Sequence, residues 1–176
     1  ETALGDYAAS TAAPNRTIEA IAAAFPGRAR PVRREIPFSS ARKWSAAAFA
    51  DHGAWLLGAP DILLTRAPGG HAAEEAGERL EHYASRGRRV LLLARAPDGL
   101  TGEALPSTLE PTALVVLDEQ LRDSAPATIA YFGEQGVAVK VISGDSPITV
   151  GAVAERVGVP NAHDPVDART LPEDDP

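Results

Sequence analysis

Ile18, Ile21 and Ala22 form an apolar stripe behind Asn15, whose side chain suits a helix cap, so a helix is predicted from residue 16 to the stop at Pro26-Gly27. A shorter helix is predicted over residues 4–12. Val32, Ile36 and Phe38 alternate with polar neighbours, as in a half-buried strand. Residues 44–50 and 53–57 flank Asp51-His52 and predict an antiparallel hairpin. Residues 59–64 predict a short helix, and Ala73, Ala76, Leu80 and Tyr83 mark the inner face of a longer one. Residues 89–95 form a continuous apolar run, the pattern of a fully buried strand.

Residues 97–111 are rich in Pro, Gly, Asp, Ser and Thr, the composition of a surface loop. A strand is predicted at 113–117, a helix at 126–135 with Ile129 and Phe132 inward, and another strand at 138–142. Ser146-Pro147 opens a helix whose Val150, Val153, Ala154 and Val157 share one face, closed by Gly158. Strand, helix, strand, helix with short turns implies parallel pairing and a right-handed crossover. The architecture is therefore expected to change near Asp118, with hairpins and flanking helices before it and a βαβα unit after it. From Asp164 onward the chain, rich in Asp and Pro, is expected to be loosely held.

Charge changes this picture only locally. The net charge is −7. Asp and Glu number 14 against 13 Lys and Arg in residues 1–118, but 10 against 4 in residues 119–176, so the second portion carries most of the excess. Arg28, Arg30, Arg33, Arg34, Arg42 and Lys43 cluster around Glu35, either as a solvated strand face or as a patch for a polyanion such as a triphosphate. The acidic balance argues against nucleic acid as the main partner. Cysteine is absent, which excludes disulfides and thiolate metal sites, and the four histidines lack metal-ligand spacing, so no metal ligands are expected in the chain. No apolar run approaches bilayer length and no leader pattern opens the chain.

The segment Val137-Ala138-Val139-Lys140-Val141-Ile142-Ser143-Gly144-Asp145-Ser146-Pro147 holds the most chemistry. It reads as a strand, a small-residue turn bearing a carboxylate, and a helix start, where free N–H groups and an acid converge on a place for phosphate. Gly and Asp also occur in such turns for capping alone. Gly58-Ala59 carries no bulk beyond a methyl, so a bound base would meet backbone there.

In chain order, Phe38-Ser39-Ser40-Ala41-Arg42-Lys43-Trp44-Ser45, Leu57-Gly58-Ala59-Pro60-Asp61-Ile62-Leu63-Leu64 and Gly87-Arg88-Arg89-Val90-Leu91-Leu92-Leu93-Ala94 resemble blocks of the P-type cation-transporting ATPases. Their nucleotide-binding domain carries F-S-x-x-R-K-x-S, K-G-A-P-E-x-I-L and G-x-R-x-L-x-x-A. Ser143-Gly144-Asp145 is similar to the T-G-D motif of their phosphorylation domain, and the resemblance runs from about residue 8 to about residue 159. It implies an α/β fold: an antiparallel sheet flanked by helices over residues 1–117, then part of a haloacid-dehalogenase-like βαβα phosphorylation unit over 118–176.

The resemblance implies roles residue by residue. Phe38 would stack on adenine, with Arg42 and Lys43 along the nucleotide, Gly58 and Ala59 beside the base, and Arg89 at the phosphates, where Arg88 competes for the part. Asn15 or Glu19 is the candidate for the adenine amino group; Glu1-Thr2-Ala3-Leu4 fits the E-x-A-L block in an alternative register. Leu57 departs from the family's lysine. Asp118-Glu119-Gln120-Leu121-Arg122 loosely resembles the D-P-x-R hinge, placing Arg122 at phosphate, while Ser143, Gly144 and Asp145 would sit near a phosphoryl group and magnesium.

The chain has no D-K-T-G-T and no G-D-G-x-N-D, so it is expected to bind ATP without hydrolysing it, since phosphoryl transfer needs nucleophile, metal and phosphate together. As part of an intact pump it would use ATP and Mg2+ and meet the membrane helices, the actuator domain and the rest of the phosphorylation domain, on the cytoplasmic side of a bacterial inner membrane. The rival readings are a soluble haloacid-dehalogenase-type phosphatase and a non-enzymatic interaction module.

Overall fold

The computed structural model describes residues 1–69, 71–118, 121–167 and 170. They fall into two compact units, residues 1–77 with 91–115, and residues 78–90 with the chain from 116 on.

The first unit opens with α1 (Thr2–Ser10) and α2 (Arg16–Ala24). Asn15 caps α2, its Oδ1 accepting from the Ile18 N–H at 3.0 Å, and Ile18 and Ile21 are buried as their spacing requires. The chain leaving α2 passes α1 backbone to backbone. A Cβ on Gly5 would stand 2.6 Å from Phe25 O, so glycine is what permits the approach.

Asp6 fastens this junction. It is 2% exposed, accepts from the Arg28 N–H at 2.8 Å and pairs with the Arg30 guanidinium. The Arg28 N–H first, and Arg30 second, hold its carboxyl below its ordinary value against the opposing effect of burial. Since the folded chain binds this proton more weakly than the unfolded one, the stabilisation is complete above the unfolded value of about 3.9 and is lost as pH falls through the lower folded value. Asp6→Asn is therefore expected to lower the urea midpoint at neutral pH, with the gap to the parent closing in acid. A gap independent of pH would contradict this.

Five strands follow: β1 (Val32–Ile36), β2 (Trp44–Phe49), β3 (Ala54–Gly58), β4 (Arg89–Ala96) and β5 (Glu110–Leu117). They form one sheet in that order, and β1–β2, β2–β3 and β3–β4 pair antiparallel. The expected α/β architecture, an antiparallel sheet flanked by helices, is the one observed. The β2–β3 hairpin closes with Phe49 N–H on Gly53 O at 2.9 Å, Gly53 taking φ +73.

Alternation divides β2 between two buried faces. Trp44 and Ala46 join Ile36, Leu56, Leu92 and Ala94 in a core closed by Leu63 of α3 (Pro60–Leu63) and by Leu109. On the odd-numbered positions, Ser45 accepts from the Tyr7 hydroxyl of α1 at 2.9 Å, and burial pushes the Tyr7 phenol up. The connection after β4 is more than a surface excursion. Leu100 and Leu105 pack on the core, the Leu109 N–H bonds Arg66 O at 2.9 Å, and β5 begins at Glu110, inside the expected loop.

The expected long helix is α4 (His71–Ala84). In the second unit α5 (Ala125–Glu134) and α6 (Pro147–Arg156) form as expected, α6 ending at Gly158 with φ +82 and Val159 N–H on Ala154 O at 3.0 Å. The strand expected at 138–142 does not form. A strand needs a neighbour for its N–H and C=O groups, and here Ile142 is 97% exposed with Val137 and Val141 also exposed. Phe132, expected inward, is exposed beside Tyr131, whereas Ile129 is half-buried. Of the tail, residues 168, 169 and 171–176 lie outside the described residues.

Candidate functional site

Between β1 and β2 the chain makes a turn that brings the first two sequence blocks together. The Ser39 hydroxyl accepts from the Arg42 N–H at 3.2 Å, and Ser39 O accepts from the Lys43 N–H at 2.8 Å. Lys43 adopts φ +62, a left-handed conformation that costs a non-glycine residue roughly 1–2 kcal/mol. Such strain gathers where a side chain is needed for more than packing. Lys43 O then accepts from the Ala59 N–H at 2.9 Å, so the turn is hydrogen-bonded directly to Gly58-Ala59.

Gly58 serves this junction in an unexpected way. It lies opposite Trp44 in the sheet register, and a Cβ added there would meet the Trp44 Cβ, stand 2.7 Å from the Trp44 Cα and 2.8 Å from Lys43 O. The space a Cβ would take on Gly58 is filled by the protein's own β2. Ala59 opens α3, its carbonyl accepting from the Ile62 and Leu63 N–H groups at 3.1 Å each.

Phe38 projects from the turn 46% exposed, whereas its apolar neighbours Ile36 and Trp44 are buried. Arg42, on the same turn, donates through Nη2 to Pro37 O at 3.0 Å and through Nη1 to Glu103 at 3.3 Å, with its guanidinium carbon 5.8 Å from the centre of the Trp44 ring. Leu57 is buried and its carbonyl accepts from the Ser45 hydroxyl at 3.4 Å. Of the two candidates on α2, Asn15 has its side-chain oxygen committed to the cap, and Glu19 is exposed in the first turn.

The remaining expected residues belong to the second unit. The Arg89 Nη2 lies 4.0 Å from Asp145 Oδ1, and Arg88 stands 3.8 Å from Asp118. The Ser143 hydroxyl accepts from the Asp145 N–H at 3.1 Å across Gly144, and Pro147 takes the first position of α6. Arg122 is exposed before α5; Glu119 of the hinge block lies outside the described residues. Magnesium demands several oxygen ligands. Asp145 faces the Arg89 guanidinium, and no group of three acidic or histidine side chains gathers among the described residues, so this turn would offer a magnesium ion the single carboxylate of Asp145, with water and phosphate oxygens as its remaining ligands.

No family model matches the chain. It is 45% identical over 172 residues to the calcium-transporting ATPase CtpE of Mycobacterium tuberculosis, an alignment covering 96% of this chain and 20% of that protein. CtpE of Mycolicibacterium smegmatis is 42% identical over 173 residues, 97% of this chain and 21% of its own. The chain belongs to the P-type cation-transporting ATPases. The probable cation-transporting ATPase exp7 of Streptococcus pneumoniae is 35% identical over 175 residues, 98% of this chain and 21% of that protein. The chain thus spans about a fifth of the length of these relatives, and no helix among its described residues is long and apolar enough to cross a membrane.

Two features of this P-type chain escaped the sequence reading. The left-handed Lys43 leaves no mark in composition, since the residue before Trp44 could equally be extended. Glu103 lies 61 positions from its partner Arg42, in a loop whose composition signals only irregular structure.

Proposed function

We propose that this chain is the nucleotide-binding portion of a cation-transporting ATPase, residues 1–117 forming the nucleotide domain and residues 118–176 part of the phosphorylation domain. Adenine stacks on Phe38; Arg42 and Lys43 supply positive charge along the nucleotide; Gly58 and Ala59 hold the turn in place; Glu19 is the acid for the adenine amino group. Arg89 and Arg122 meet phosphate, with Ser143, Gly144 and Asp145 lining the place where the phosphoryl group is handled.

The observation that carries this reading is the exposed ring of Phe38 on a turn whose left-handed Lys43 is bonded to Ala59. An exposed aromatic on the same turn as two cations suits a flat, anionic ligand. The family blocks support the same assignment. In the whole protein the terminal phosphate would pass to an aspartate outside this chain and drive cation movement through membrane helices from the cytoplasmic side; Mg2+, when bound, would neutralise charge on the phosphates. Calcium is the first cation to test, given the names of the relatives.

Calorimetric titration of the chain with ATP, followed by a phosphate-release assay, tests the proposal. Saturable binding without release is expected. No binding at millimolar ATP favours an interaction module, and sustained phosphate release favours a soluble phosphatase.

A further inference from the structure

Arg42 is held by the fold in an incomplete set of bonds. Its Nη2 is spent on Pro37 O and its Nη1 on Glu103, but its Nε is buried without an acceptor among the described residues. A buried donor left unpaired is costly, so this arrangement is poorer than one in which an added acceptor lets the guanidinium turn. Glu103 is a weak partner: it is 78% exposed, against 30% for Arg42, and a single 3.3 Å contact joins them. Its position is nevertheless built. Leu100 and Leu105, on either side of it in the chain, pack on the core, and Leu109 anchors the end of the loop.

We infer that Glu103 is an internal counter-ion for the candidate nucleotide site, holding Arg42 until the phosphate oxygens of a bound nucleotide replace it, and so a residue that sets affinity for phosphorylated ligands. The inference rests on the nucleotide reading above. Its chemistry is one of exchange: a carboxylate and a phosphate compete for the same fork of N–H donors, and the phosphate brings more charge and more acceptors. Removing the carboxylate frees the guanidinium and also removes a negative charge that repels the ligand.

The test is equilibrium titration of the full chain with ATP and with adenosine, for the parent, Glu103→Gln and Glu103→Asp, at low and high salt. Glu103→Gln is expected to bind ATP about three- to tenfold tighter, with the gain shrinking in salt and adenosine affinity unchanged. Glu103→Asp retains the parent's affinity. In an Arg42→Gln background the gain shrinks to the part that comes from removing the negative charge alone; if that variant does not fold, Arg42→Lys, which lacks the planar fork of donors, shows a reduced gain. Equal or weaker ATP binding by Glu103→Gln, or the same gain for adenosine, overturns the inference while leaving the nucleotide site standing. Failure of the parent chain to bind ATP at all removes the nucleotide reading and this inference together.

Discussion

Gly58→Val is expected to destabilise the chain by about 3 kcal/mol, the upper end of the roughly 1–3 kcal/mol range for forced overpacking, because the blocking atoms are backbone. The branched side chain would have to occupy space already held by the Trp44 backbone and by Lys43 O at 2.8 Å. Neither can swing away as a flexible side chain would, because Trp44 pairs with Gly58 in the β2–β3 register and Lys43 O holds Ala59. For a chain of this length the thermal midpoint should fall by roughly 6–12 °C. Nucleotide affinity should fall with it, since the same displacement separates the Phe38 turn from Ala59. A loss below about 0.5 kcal/mol, the scale of an ordinary surface change, would show that β2 does not press on Gly58 as described.

Phe38→Ala is expected to act in the opposite manner, on binding and not on stability. The ring is half in solvent and contributes little to the core, so unfolding should shift by no more than about 0.5 kcal/mol. Stacking of a base on an aromatic ring is worth about 1–3 kcal/mol by alanine substitution, which corresponds to about a 5- to 150-fold loss of ATP affinity. Phe38→Trp should keep the affinity, because it keeps a flat apolar surface. Equal affinity in the parent and Phe38→Ala would remove Phe38 from the site.

Local signals made much of the first unit legible. The Asn15 cap, the Ile18 and Ile21 stripe and the alternation on either side of Asp51-His52 each act through contacts a few residues away, and α2 and the β2–β3 hairpin follow them. The apolar run at 89–95 became β4 for the same reason. The run at 138–142 has equal β propensity, yet propensity does not supply a neighbour, and without one no strand forms and Val141 and Ile142 stay exposed. Phe132 follows the same logic: its helical phase was readable, the surface to cover it was not.

Within the candidate site, sequence order placed Phe38, Arg42 and Lys43 near Gly58-Ala59 because the hairpin between them is short. The purpose of Gly58 was not legible, since a glycine that admits a ligand and one that admits a neighbouring strand look alike in sequence. The Asp6–Arg30 fastening and the Glu103–Arg42 pair depend on tertiary contacts across 24 and 61 positions, beyond any periodic pattern.

The most direct measurement is an ATP titration of the isotope-labelled chain followed by backbone amide shifts. The nucleotide cradle predicts the largest saturable changes at residues 38–43 and at Gly58 and Ala59. Shifts absent at millimolar ATP, or confined to residues elsewhere, would contradict it.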